Sequence, residues 1–223
     1  MDVAVVGDRA SSLSVRLGAQ TYLFAVADGF GEIDGDPAAK RAVLKLRDGM
    51  ERRARRERLR RNGARPKVIG DALAGALREV NAYLQTRSAS HADYVTAATS
   101  VTALLVVDDR AFVAHAGSTS AYLVRRSRGV ALTTSDTFCD DSAVPVLTRA
   151  LGLGPTIDLS VSSFSLDLAD LLVLRTSTGD RSLMVRYDSA EPALPAQSMQ
   201  YRFSPALTAV GATVLFYALL CLR

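Results

Sequence analysis

Tryptophan is missing from this chain altogether, and cysteine and histidine each occur only twice. The two cysteines, Cys139 and Cys221, lie far apart with no metal-ligand spacing around them. That argues against a disulfide-stapled secreted protein and for a reducing compartment. His91 and His115 leave little room for a histidine-built zinc centre. The N-terminus, MDVAVVGDRA, lacks the basic start and long apolar run of a secretory signal, so none is expected. Glycine and proline, 15 and 7 of 223 residues, are too sparse for a collagen-like or low-complexity chain. A hydrophobic content of 48% excludes disorder, and a chain this long buries a core without disulfides or structural metal.

Charge is present but unevenly spread. Residues 39–67 hold thirteen Lys or Arg against Asp48, Glu51 and Glu57, a local surplus of ten. The whole chain carries only +4, so the remainder is about six charges negative. Arg52, Arg53, Arg55, Arg56, Arg58, Arg60 and Arg61 are nearly contiguous and sit among helix formers. Ala42, Val43, Leu46, Met50 and Leu59 give this stretch a thin apolar seam. Such a helix suits an anionic membrane surface or an acidic partner, or else is a solvated face. No aromatic residue interleaves the arginines, which disfavours nucleic acid.

The other long pattern is apolar. Ala206 to Leu222 is seventeen uncharged residues, ALTAVGATVLFYALLCL, between Arg202 and Arg223. That is at the short end of the roughly 17–25 residues a membrane span needs. A buried C-terminal helix is the alternative, but only Thr208, Thr213 and Tyr217 would form its polar face. The expectation is a single-pass anchor holding a cytoplasmic domain at residues 1–188, with residues 189–205 as a proline-bearing linker.

Within residues 1–188, strand-like runs outnumber helices. Thr21 to Ala27 ends in Asp28-Gly29, a strand running into a turn. Asp71 to Leu84 places Leu73, Leu77, Val80 and Leu84 on one helical face. Ser100–Val107, Ala111–Ala116, Ala121–Arg125 and Val130–Thr133 read as an antiparallel meander. Val144–Leu151 suggests a short helix, and Ile157–Leu166, Leu171–Leu174 and Ser182–Tyr187 suggest three more strands. The pattern predicts an α+β domain.

Four segments, in order, resemble the PPM-type (PP2C-like) metal-dependent serine/threonine protein phosphatases. They are FAVADGFGE at 24–32, the run TSVTALLVVDDRAFVAHAGSTSAYLVRRSRGVALTTSD at 99–136, LTRALGLG at 147–154, and DLADLLVLRTSTGD at 167–180. The resemblance implies a four-layer α-β-β-α sandwich of two antiparallel sheets flanked by helices. It also implies phosphate-ester hydrolysis by a water held between two Mn or Mg ions, which need several carboxylate oxygens.

On that resemblance, Asp28 matches the bridging carboxylate and Gly29 the residue whose backbone carbonyl ligates a metal. Glu32 replaces a glycine of the same turn. Two further carboxylate positions are lost: Ser118 stands in Gly117-Ser118-Thr119-Ser120, and Thr178 in Ser177-Thr178-Gly179. Asp180 and Asp8 are candidates to supply carboxylates, and Asp34 and Asp36 lie just after the metal turn, where solvent-facing loop positions are the plainer reading. His115, mid-strand in VAHAG, reads as a packed core residue.

The expectation is therefore a degenerate phosphatase domain, acting as a membrane-tethered scaffold for a phosphoprotein or a protein-kinase pathway component. Two alternatives stand beside it. One is an active Mn/Mg-dependent phosphatase using Asp8, Asp28 and Asp180; the other is a binding module working through the arginines of 52–61.

Overall fold

A computed structural model describes residues 2–6, 10–33, 36–57, 65–89, 97–139, 145–177 and 182–187. In chain order the elements are β1 (Asp2–Val6), β2 (Ala10–Gly18), β3 (Thr21–Phe30), β4 (Glu32–Ile33), β5 (Asp36–Pro37), α1 (Ala38–Glu57) and α2 (Pro66–Ala89). Then follow β6 (Ala98–Val107), β7 (Arg110–Ala116), β8 (Ser120–Arg125), β9 (Arg128–Ala131), β10 (Thr137–Cys139) and β11 (Pro145–Leu147). The last are β12 (Ser160–Ser165), β13 (Leu171–Arg175) and β14 (Ser182–Arg186). Proline suits the first turn of α2, where its missing N–H costs nothing.

Two antiparallel sheets make the body. One has six strands in the order β1-β2-β3-β6-β7-β12, the other four in the order β14-β13-β8-β9. Two apolar clusters hold the layers together. The first joins both helices to one face of the six-stranded sheet, burying Val43, Leu46 and Met50 of α1 and Leu73, Leu77, Val80 and Leu84 of α2. Their three- and four-residue spacing is the helical period read in the sequence, and each buried leucine contributes roughly 1.5–3 kcal/mol. The second cluster lies between the sheets, with Tyr22, Phe24 and Leu104 meeting Leu172, Leu174, Leu183 and Val185. The α+β class of antiparallel sheets with helices stands. Both described helices lie on the six-stranded sheet.

The meander differs from its sequence reading. β6 pairs with β7 and β8 with β9, but β7 and β8 belong to different sheets. The chain crosses between them at Gly117, whose φ of +109° is open to glycine and strained for other residues. A Cβ there would also lie 2.3 Å from Ser100 Oγ.

The helix expected over Val144–Leu151 is not formed by the described residues 145–151. Pro145–Leu147 is instead a strand paired with β10, and Leu151 bridges Thr99 through two 2.9 Å backbone hydrogen bonds. Asn81 of α2 fastens this segment, donating to Gly154 O at 2.9 Å and accepting from Gly152 N at 2.8 Å. A strand-like path lets LTRALG reach both α2 and β6, which a helix would not.

Candidate functional site

Asp28 and Gly29, expected as a turn, lie within β3, which stays paired with β6 through Phe30; Asp28 is in register with Ala10 of β2 and Ser100 of β6. Neighbouring strands on both sides leave Asp28 only 9% exposed. Gly29 is crowded by the start of β6, where a Cβ would stand 2.3 Å from Ala98 O and 2.7 Å from Thr99 Cβ. From the opposite sheet, just past β13, the Ser177 hydroxyl donates to Asp28 Oδ2. The carboxylate is thus tied to a neutral donor that links the two sheets.

Beside it, at the crossing after β7, lies Ser118. Its hydroxyl lies 3.1 Å from Ser100 Oγ, and its backbone N–H donates to the same oxygen at 3.0 Å. Two hydroxyls satisfy each other where the resemblance implies a metal carboxylate.

Deeper in the same seam runs a chain of buried polar groups. His115 Nε2 lies 3.0 Å from Thr134 O, and a carbonyl only accepts, so Nε2 carries the proton. His115 Nδ1 then accepts from the Thr102 hydroxyl at 2.9 Å, and Thr102 accepts from Thr119 at 2.7 Å. Burial pushes the His115 pKa below its ordinary value, against the opposing pull of the Asp136 charge. A neutral, fully satisfied imidazole has no lone pair left for a metal.

Asp136 closes the seam. Arg149 grips it with two bonds, Nε to Oδ2 at 2.8 Å and Nη2 to Oδ1 at 2.7 Å, while Gly117 N donates to Oδ2 at 2.7 Å. Burial alone would raise the Asp136 pKa, but these hydrogen bonds and the Arg149 charge hold it below the ordinary carboxylate value. Arg149 also donates to Asp158 O and Ser160 Oγ, pinning the LTRALG segment to the neighbourhood of β12. Sequence reading quoted both motifs but did not pair Asp136 with Arg149. The signal available was that each sits in a segment whose order matched the resemblance.

Of the expected site residues, the structure brings Asp28, Gly29 and Ser118 to one end of the sandwich, around Ser100. Asp8, Asp34, Thr178 and Asp180 lie outside the described residues, as do Arg58, Arg60 and Arg61, the linker 189–205 and the apolar stretch 206–222. Asp36, expected as a solvent-facing loop residue, is half-buried in β5 and pairs with Lys40 at 2.5 Å and Arg41 at 2.9 Å. Among the described residues no three His, Cys, Asp or Glu side chains converge on a common point. One carboxylate already bonded to a hydroxyl, beside two hydroxyls bonded to each other, is a poor donor set for hard dications. The described residues do not fit a two-cation centre.

The basic segment divides. Arg52 and Arg53 of α1 both reach Glu79 of α2, at 3.0 and 2.7 Å, and Arg55 reaches Glu51 at 3.3 Å. Part of the arginine run therefore joins the two helices. Among the described residues no helix is long and apolar enough to cross a membrane.

No protein-family model matches this chain, and no curated protein matches it in sequence. Solved structures do match. A serine/threonine phosphatase of S. agalactiae superposes with a TM-score of 0.63 at 17% identity, over 79% of this chain and 77% of that one. The serine/threonine phosphatase PstP/Ppp of Mycobacterium tuberculosis gives 0.55 at 19% identity, over 76% and 78%. The PPM Ser-Thr phosphatase MsPP of Mycobacterium smegmatis gives 0.54 at 23%, over 74% and 76%. In arrangement of sheets and helices, this chain has a divergent form of the PPM-type serine/threonine phosphatase fold.

Proposed function

We propose that this protein is a phospho-signalling module in which a PPM-type phosphatase fold has been kept and its two-metal chemistry lost. It holds a phosphoprotein or a kinase-pathway component rather than hydrolysing it, and residues 206–222 tether it to the cytoplasmic face of a membrane. The observation that carries this reading is the state of Asp28 and Ser118. Asp28 is engaged by Ser177, and the Ser118 position is closed by its bond with Ser100. Among the described residues, two dications placed there would meet one carboxylate and several neutral oxygens, too little charge to hold both ions.

The test is Mn²⁺ calorimetry on the full-length chain beside Asp28→Ala, with p-nitrophenyl phosphate turnover on the same samples. The expected result is at most one weakly bound ion and no turnover above that of the Asp28→Ala chain. Two bound ions with turnover, both abolished by Asp28→Ala, would sink the reading in favour of an active enzyme that also draws on Asp8 and Asp180.

A further inference from the structure

The six-stranded sheet ends on β12, and among the described residues no strand pairs with its outer side. The other three edges of the two main sheets carry a guard. β1 has Asp2, β9 has Arg128 and β14 has Arg186, and none of the three exceeds five residues. Charge and shortness keep an edge from taking up another strand. β12 has neither protection. Ser160–Ser165 reads SVSSFS, six residues without charge, proline or glycine, paired to β7 with no break in register. Five of the six are exposed, Val161 by 43%.

The backbone bonding fixes which groups face outward. Leu166 N donates to Asp109 O at 2.7 Å, one step beyond the Ser165–Arg110 pair. Hydrogen-bonded pairs alternate along an antiparallel ladder, so Ser160, Ser162 and Phe164 bond to β7, while Val161, Ser163 and Ser165 turn their N–H and C=O outward. The Ser165 carbonyl takes one bond from Arg125 and keeps a second lone pair. We infer that this edge pairs antiparallel with β12 of a second copy of the chain, about a two-fold axis at Ser163. In that register Ser163 meets its own counterpart and Val161 meets the counterpart of Ser165, so all three outward residues of each copy are bonded. A slip of two residues either way would leave one of them in each copy without a strand partner. A strand without charge also meets its own copy with no like charges opposed. An unrelated extended peptide is the weaker contender, because strand addition takes its specificity from side-chain pockets and serines form none. Two-fold pairing closes on itself, covering the open edge of both copies without starting a fibre. Neither metal binding nor a membrane enters this pairing.

Ser163→Lys tests the axis, because it sets two ammonium groups directly opposite each other at an exposed position. The full-length chain in mild detergent should have the mass of a dimer by light scattering. Ser163→Lys should weaken dimerisation ~5-fold or more, with circular dichroism unchanged. The register is read by disulfide formation in chains that also carry Cys139→Ser and Cys221→Ser. Ser163→Cys brings two Cα atoms to about 5.5 Å across the axis, within disulfide reach, while Val161→Cys leaves them well beyond about 7 Å. Under the same mild oxidation, Ser163→Cys should therefore cross-link ~10-fold faster than Val161→Cys. A monomeric chain would overturn the pairing, and exchange protection of its Val161 and Ser163 amides would then assign the edge to another segment of the same chain. A dimer of equal affinity in Ser163→Lys, or equal cross-linking of the two cysteine chains, would also overturn it and place the contact elsewhere. If Ser163→Lys fails to fold, the two cysteine chains decide.

Discussion

The two sheets of the sandwich meet the same core and differ in what lies behind them. β6, central in the six-stranded sheet, is buried at every one of its positions because helices cover one face and the second sheet covers the other. In β13, central in the four-stranded sheet, burial alternates between buried and half-buried along the strand. Yet β13 reads LLVLR, as continuously apolar at its first four positions as a strand with two covered faces. A continuous apolar run reports the surfaces a strand is suited to meet, while burial reports those it meets within the chain.

That contrast can be broken or sharpened by measurement. The largest effect belongs to the covered side, where Leu77→Ala opens a void between α2 and its sheet. It should cost about 2–5 kcal/mol in urea unfolding, against about 1 kcal/mol or less for Val173→Ala on the outer face. Equal costs would mean that the outer face is as tightly packed as the helical one. Next comes Arg149→Ala, which leaves Asp136 half-buried with only the Gly117 N–H and should cost roughly 1–3 kcal/mol. A shift in urea midpoint below a few tenths of that would remove the seam from the list of stabilising features.

Acid should weaken the fold through His115. Its folded pKa lies below the ordinary value of about 6.5, so between the two values the unfolded chain binds a proton the folded one refuses. The contribution is complete above about pH 6.5 and declines as pH falls, by at most ~1.4 kcal/mol per unit. The groups facing the ring are Thr102, Thr134 O, Asp136 at 3.7 Å and, behind it, Arg149. Asp136, whose folded pKa is also lowered, adds a loss only at lower pH, as it falls through that value. Urea midpoints across this range, compared with His115→Gln, should show the slope near pH 6 disappear in the variant. The smallest effect is Glu79→Ala between the helices. Its half-exposed ion pairs should contribute ~0–1 kcal/mol, seen as a urea midpoint less sensitive to salt.

Legibility in the sequence followed the same division. Strands and α2 were readable because burial imposes a period, and Leu73, Leu77, Val80 and Leu84 all proved fully buried. The split meander was not readable, because the runs before and after Gly117 are equally strand-like and only the backbone reveals the change of sheet. Val144–Leu151 failed for a related reason. Its apolar spacing fits a short helix, but the path is set by distant partners, Asp136, Thr99 and Asn81. At the site, serine at 118, where the resemblance implies a carboxylate, was visible in the sequence. That Ser118 would pair with Ser100, and Ser177 with Asp28, needed the two sheets brought together.

Gly29 bears on how related sequences should be compared. Its Cβ position is filled by the Ala98 carbonyl and the Thr99 side chain, so packing alone excludes every other residue. Natural selection would hold glycine there in a lineage that never bound a cation as firmly as in one that depends on two. Invariance of an Asp-Gly pair in this fold thus carries its catalytic information at the aspartate, while the glycine is a fossil of geometry.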